Sequence, residues 1–242
     1  LITGSTPSLT SGNNASPINA GNVRNQGLDL DISWRSSIGD FSYGISGNLA
    51  TLKNRVTYLD QTVDRLSGAP VVDGSTTFTY FEKGYPIWYM RGFKVEGIDP
   101  ATGDPIYKDV NGDGEWTDSD VDFIGSAIPD FTYGITLTAG WKNLDLIVFG
   151  SGSHGNDIFN NMLGTADKAA NEWELYYTDR WTPQHTNATR PRPIQSLATA
   201  KEYARSDANI FDGSYFKIKQ IQLGYTIPRP VLQKVRAGNC RV

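Results

Sequence analysis

The richest chemical pattern in the chain is Asp109-Val110-Asn111-Gly112-Asp113-Gly114-Glu115-Trp116-Thr117-Asp118-Ser119-Asp120. Its spacing reads as an EF-hand-type calcium loop. Asp109, Asn111 and Asp113 take the first, third and fifth ligand positions, and Gly114 takes the sharp turn that follows. Glu115 offers its carbonyl, Thr117 acts through water, and Asp120 stands where a bidentate Glu is usual. Calcium takes several hard oxygens, and this spacing wraps them around one point. The flanks are rich in Pro and Gly (Pro100, Gly103, Pro105, Gly125, Pro129), so no helix pair is expected around the loop. A structural Ca2+ ion is the expected cofactor. An Asx-rich turn that needs no metal is the other reading.

Nothing else suggests bond chemistry. The chain has no G-x-S-x-G, no Walker loop and no H-E-x-x-H. Its histidines, His154 and His185, have no Cys or His at metal spacing. The chain is expected not to be an enzyme. Binding is the better expectation, with Trp88, Tyr89, Trp173 and Trp181 as candidates to stack on a substrate, packing in a core being the alternative for each. Arg180, Arg190 and Arg192 gather around Trp181-Thr182-Pro183. They are expected to make loop ion pairs, an anionic ligand or lipopolysaccharide being the other reading.

The elements that position these residues are strands. Leu28, Leu30, Ile32 and Trp34 alternate with Asp29, Asp31, Ser33 and Arg35, so one side of this segment is apolar and the other charged. Similar alternation recurs around Phe41–Leu49, Phe131–Ala139, Leu144–Val148 and Ile221–Ile227. Strands are expected over about 22–35, 41–54, 130–140, 143–152 and 214–227. In the last, Phe216 and Ile218 are out of phase with Ile221 onward, and an extra residue near Lys219-Gln220 would reconcile them. Short helices are expected over 167–181 and within 194–205.

The connections are lopsided. Ser36–Asp40 and Gly140–Asn143 are tight turns, whereas long loops span about 55–127 and 153–212. Short turns at one end and long loops at the other are the habit of outer-membrane β-barrels, as are aromatics such as Trp34, Phe41, Trp141 and Tyr225 near the short turns. The fold expected is therefore all-β, an incomplete part of a large transmembrane antiparallel β-barrel whose long extracellular loops carry short helices. A soluble calcium-dependent carbohydrate- or protein-binding β module is the alternative.

Composition agrees with an all-β chain. Among 242 residues there are 25 Gly and 12% aromatics, which disfavours both a helical bundle and disorder. The formal charge of −4 argues against nucleic acid as a partner. The lone Cys240 excludes an internal disulfide. The first residues, Leu1-Ile2-Thr3-Gly4, do not read as a signal peptide, and the chain reads as an excerpt of a longer one.

Several segments, taken in order, resemble the SusC/RagA family of TonB-linked outer-membrane transporters of the Bacteroidota. They include Asn25-Gln26-Gly27-Leu28-Asp29-Leu30, Gly97-Ile98-Asp99-Pro100, Pro129-Asp130-Phe131-Thr132-Tyr133-Gly134, Asp179-Arg180-Trp181-Thr182-Pro183 and Leu223-Gly224-Tyr225-Thr226-Ile227-Pro228. Asp29 stands where the family usually has Glu. The resemblance runs over about residues 20–242. It implies a barrel of about 22 strands, a plug domain and a TonB box, with the plug, the box and most strands absent from this chain. It further implies a SusD-like surface lipoprotein and the TonB complex as partners, an oligosaccharide or peptide as substrate, and contact with outer-membrane lipid. The expected location is the bacterial outer membrane. The polar set Asp29, Asp31, Ser33, Arg35, Ser42, Ser46, Asn48, Thr132, Thr136 and Asp145 is expected to face the substrate path.

Overall fold

The computed structural model describes residues 2–3, 17–18, 21–60, 64–70, 76–160, 174–193, 197–234, 238 and 240–242. The first strands are β1 (Ile2–Thr3), β2 (Pro17–Ile18), β3 (Gly21–Gln26), β4 (Asp29–Ile38), β5 (Phe41–Thr51) and β6 (Lys53–Leu59). Short strands follow: β7 (Arg65–Ser67), β8 (Thr79–Glu82), β9 (Tyr89–Gly92), β10 (Val95–Ile98), β11 (Pro105–Tyr107) and β12 (Asp122–Gly125). The rest are β13 (Phe131–Trp141), β14 (Leu144–His154), β15 (Asp157–Phe159), β16 (Ile210–Asp212) and β17 (Tyr215–Tyr225). Helices are short: α1 (Glu174–Asp179), α2 (Leu197–Ala204) and α3 (Arg229–Lys234). Two compact units result, one of residues 1–25, 54–128 and 156–212, the other of residues 26–53, 129–155 and 213–242.

The second unit is an antiparallel sheet ordered β17-β14-β13-β5-β4. The five alternating segments lie in these strands except for their ends at Leu28 and Ile227, which fall just outside β4 and β17. The segment read as one strand over 22–35 is split at Gly27-Leu28, where β3 turns to pair with β6 and β4 joins the large sheet. Both hairpin loops are tighter than the sequence suggested. Ile38 pairs with Phe41 across Gly39-Asp40, and Trp141 pairs with Leu144 across Lys142-Asn143.

Register holds the two faces apart. Trp34 lies beside Ile45, Ile45 beside Leu137, Leu137 beside Val148, and Val148 beside Ile221. One face is therefore a continuous apolar surface, and Ile221 on it is 69% exposed. The phase slip is resolved in β17, where Phe149 pairs with Gln220 and Gly150 with Ile218, leaving Lys219 as the additional residue. On the apolar face, the rings of Tyr133 and Phe216 stack 5.9 Å apart. Between their strands lies Gly152, partnered with both. A Cβ there would stand 2.1 Å from the Tyr215 carbonyl and 2.8 Å from the Tyr133 hydroxyl, so only glycine fits.

The expected transmembrane barrel is corrected here. None of the described sheets closes on itself; the largest has five strands and leaves β4 and β17 as its ends. Closure takes about eight strands at least, because each strand turns only a limited angle from its neighbour. Alternation fixed which side of each strand is apolar, but it carries no information on how many strands meet. No helix among the described residues is long and apolar enough to cross a membrane, which bears only on helices.

The first unit is built from the segments read as long loops. A sheet ordered β12-β9-β8-β7 is joined by the pairs β1-β2, β3-β6, β10-β11 and β15-β16. Phe78, Met90 and Ala204 form a small core, with Ile124, Phe159 and Ile210 packed on it. Tyr85, Tyr89 and Phe123 stack beside it with near-parallel planes.

Candidate functional site

The Asp109–Asp120 loop is held by its own carboxylates. Asp109 accepts hydrogen bonds from the N–H of Gly112 (2.6 Å) and Gly114 (2.8 Å). The Asn111 side chain accepts from Asp113 N–H at 2.9 Å, and Asp113 accepts from Glu115 N–H at 2.8 Å. Gly112 and Gly114 have φ of 77° and 84°, a left-handed backbone that a β-carbon would strain. Thr117 then caps a single 3-10 turn, Asp118–Asp120. Asp120 is the anchor: 0% exposed, it accepts from the N–H of Val110 (2.9 Å), Asn111 (3.3 Å) and Thr117 (2.9 Å). These bonds, that from Thr117 foremost, hold its carboxyl below the usual carboxylate range.

The loop thus brings Asp109, Asn111, Asp113 and Asp120 into one turn system, with Glu115 and Thr117 contributing backbone and cap. Among the described residues no group of three or more His, Cys, Asp and Glu side chains stands close enough to hold a metal. Asp104, just upstream, is paired elsewhere: Arg192 Nε reaches its Oδ1 at 2.9 Å. Arg205 ties the loop to the rest of its unit through Asp118 at 2.7 Å while its guanidinium lies over the Phe93 ring.

The aromatic candidates do not assemble. Tyr89 is a core residue, 1% exposed, and its hydroxyl donates to Glu82 at 2.6 Å. Burial, then the Glu82 carboxylate, push its hydroxyl above the ordinary tyrosine range. Trp181 donates its indole N–H to the Pro100 carbonyl at 3.0 Å and packs over Gly103, which positions a loop rather than a ligand. Trp88 remains, 46% exposed. Trp173 lies outside the described residues.

What the sheet does bring together is its polar face. Asp31, Ser33, Ser46, Asn48 and Thr136, from β4, β5 and β13, line a shallow depression of about 270 Å³ floored by Gly47 and Gly134. The register puts Asp31 beside Asn48 and Asn48 beside Gly134; the absent side chain leaves room for the Asn48 amide. Farther along the same face, Arg241 binds Asp145 through both carboxylate oxygens, over a glycine at 224 that makes space for the pair. That pairing lowers the Asp145 carboxyl. The face offers hydroxyl, amide and carboxylate groups to a polar ligand and no arranged nucleophile and base.

No family model matches the chain. Two relatives from Formosa agariphila are similar to it. TonB-dependent receptor P3 is 27% identical over 241 residues, covering 93% of this chain and 24% of the relative. TonB-dependent receptor P26 is 27% identical over 226 residues, covering 87% of this chain and 23% of the relative. The chain therefore spans about a quarter of the length of the curated relatives it matches. Its fold is similar to part of the RagAB peptide transporter, with a TM-score of 0.79, 21% identity, and coverage of 100% of this chain and 26% of that one. The RagAB peptide importer in its open-open state gives 0.77, again at 21% identity, with 99% of this chain and 26% of that chain covered. The chain is thus similar in sequence to part of two TonB-dependent receptors and in fold to part of the RagAB peptide transporter.

Proposed function

We propose that this chain is part of a TonB-dependent importer associated with the bacterial outer membrane, which takes up small polar nutrients, oligosaccharides or peptides. The observation that carries the reading is the two-faced sheet. Its polar face, with Asp31, Ser33, Ser46, Asn48 and Thr136, presents the groups that hydroxyl- and amide-rich cargo needs, and it does so on a rigid ladder. Homology to TonB-dependent receptors and the RagAB-like fold support the class. In this reading a SusD-like surface lipoprotein hands over the cargo, and the TonB complex supplies energy through a region outside this chain.

Transport in this segment requires no bond to break. Cargo exchanges its hydrogen bonds to water for a succession of weak ones to the polar face, so it is held and released without a deep well. Calcium enters as a proposal of donor spacing alone, a structural ion on the Asp109–Asp120 loop. The test of the function is uptake by cells that carry the gene for this chain, compared with cells that lack it. Labelled oligosaccharides and labelled peptides serve as cargo. Loss of uptake of one class in the deletion strain, restored by the gene, carries the reading and chooses the class. Equal uptake of both in the two strains removes it.

A further inference from the structure

In the first unit β10 is paired along one edge only, to β11. Lys108 N–H donates to the Lys94 carbonyl at 2.8 Å, and Asp99 N–H donates to the Asp104 carbonyl at 2.9 Å. Antiparallel pairs alternate between bonded and unbonded, so the residues just inside these two, Val95 and Ile98, turn their N–H and C=O away from β11. Ile98 accordingly stands beside Pro105, which has no N–H to give. Val95 N–H reaches outward and donates to Asp207 Oδ1 at 2.9 Å. The Val95 carbonyl and both backbone groups of Ile98 have no such partner among the described residues. Glu96 is the additional residue of a bulge between Val95 and Gly97.

Other segments reach this edge only at its ends. At the start, Asp207 N–H donates to the Phe93 carbonyl at 3.0 Å. At the hairpin tip, Arg192 N–H donates to the Gly103 carbonyl at 2.9 Å, and the Trp181 indole holds Pro100. Between these clamps a cavity of about 500 Å³ opens along Val95–Ile98, with Ala188–Arg190 on the opposite wall. That wall is satisfied within itself: the Arg190 guanidinium and the Tyr203 hydroxyl are hydrogen-bonded to each other, with Asp179 and Asp207 nearby. Glu96 is exposed where it lines the cavity and makes no ion pair among the described residues. At Gly97 nothing stands within 4 Å of where a side chain would begin.

An open strand edge matches a chain with the same alternation of donors and acceptors, which is a peptide in extended conformation. Sugar hydroxyls do not carry that spacing. From Val95 to Ile98 the edge runs about 10 Å, at about 3.3 Å per residue, which suits a tripeptide. The bulge twists the edge and interrupts its spacing, which disfavours a long strand from a second copy of this chain. The unpaired Glu96 carboxylate favours a basic side chain on the peptide.

We propose that the outer edge of β10 accepts a short extended peptide as an added strand, with a basic side chain of the peptide beside Glu96. The site lies within the first unit and does not depend on the transport reading.

The test is calorimetric titration of the full chain, its apolar face kept in mild detergent, with the capped tripeptide acetyl-Val-Lys-Val-amide. Its counterparts are the same peptide with methylated backbone nitrogens, acetyl-Val-Glu-Val-amide, and maltotriose. Saturable binding of the lysine peptide is expected, with slowed amide hydrogen exchange over residues 95–98. Backbone methylation should weaken binding about tenfold or more, since it removes the donors of the added strand. Ile98→Pro, which removes an N–H that β11 does not use, and Gly97→Leu, which fills the open space, should each weaken binding about tenfold. Glu96→Gln should erase the preference for the lysine peptide over the glutamate one. If Ile98→Pro fails to fold, the methylated peptide on the native chain carries the decision. The proposal is overturned if the lysine peptide does not bind, if the methylated peptide, the glutamate peptide or maltotriose binds equally well, or if exchange over 95–98 is unchanged on binding.

Discussion

Gly152→Ala tests the packing of the large sheet at its tightest point. The rings of Tyr133 and Phe216 lean over this glycine from the strands on either side. An added Cβ would lie 2.1 Å from the Tyr215 carbonyl oxygen, 1.3 Å inside the 3.4 Å at which ordinary contact begins. Part of that overlap is with backbone, which cannot rotate away, so β17 has to move off β14. Overpacking of this kind costs about 1–3 kcal/mol, and the disturbed ring pair adds about 0.5–1.5 kcal/mol. We expect a loss of about 3 kcal/mol. The control is Gly47→Ala on the same face, where a Cβ meets only the Gly134 carbonyl at 3.6 Å. It should be within about 0.5 kcal/mol of the native chain, or slightly stabilising. Urea unfolding of the full chain with the apolar face kept in mild detergent, monitored by tryptophan fluorescence, gives both values. A Gly152→Ala midpoint equal to the native one, or a Gly47→Ala loss exceeding it, would refute the ring-over-glycine packing.

Other consequences follow from the acidic loop and the loop aromatics. Asp120→Ala leaves three backbone N–H groups of the loop without their acceptor, so limited proteolysis should cut between Asp109 and Asp120 in the variant and not in the native chain. Because the Asp120 carboxyl is lowered in the fold, its contribution is present above the ordinary carboxylate pKa and is lost as pH falls through the lower folded value; the acid limb of a Tm-against-pH curve should flatten in Asp120→Ala. If calcium occupies the loop, titration raises the native Tm and not that of Asp109→Ala with Asp113→Ala; a flat native response removes the ion and leaves the self-bonded turn. Gly103→Ala, at φ 78° and with its Cβ 2.5 Å from the Trp181 ring, should shift the Trp181 fluorescence and destabilise the unit, whereas Gly97→Ala should do neither.

Much of the large sheet was legible because period-two alternation survives wherever one face is apolar. The register shift at Lys219 was readable for the same reason, since Phe216 and Ile221 fall out of phase by one residue. The first unit was not legible. Its strands β7 to β12 are three or four residues long, too short for a period, and its core is assembled from residues such as Phe78 and Ala204 that are distant in sequence. The transmembrane barrel was overread from loop asymmetry, because no local pattern reports how many strands pair. Tyr89 shows why an aromatic run misleads: spacing does not separate a core ring from an exposed one, and the adjacent Trp88 is the exposed member. Among the three arginines near Trp181, Arg192 makes the ion pair expected of a loop. That Arg190 is the buried one, set against the Tyr203 hydroxyl, depends on tertiary packing that is not written in the local sequence.

The central claim is that cargo meets the polar face of the sheet. Uptake of the labelled cargo, measured in cells producing Asp31→Ala with Asn48→Ala at native abundance, tests it most directly. The account predicts uptake reduced about fivefold or more, with the stability of the sheet unchanged, since both side chains line the depression and neither supports the core. Undiminished uptake by that variant would contradict it.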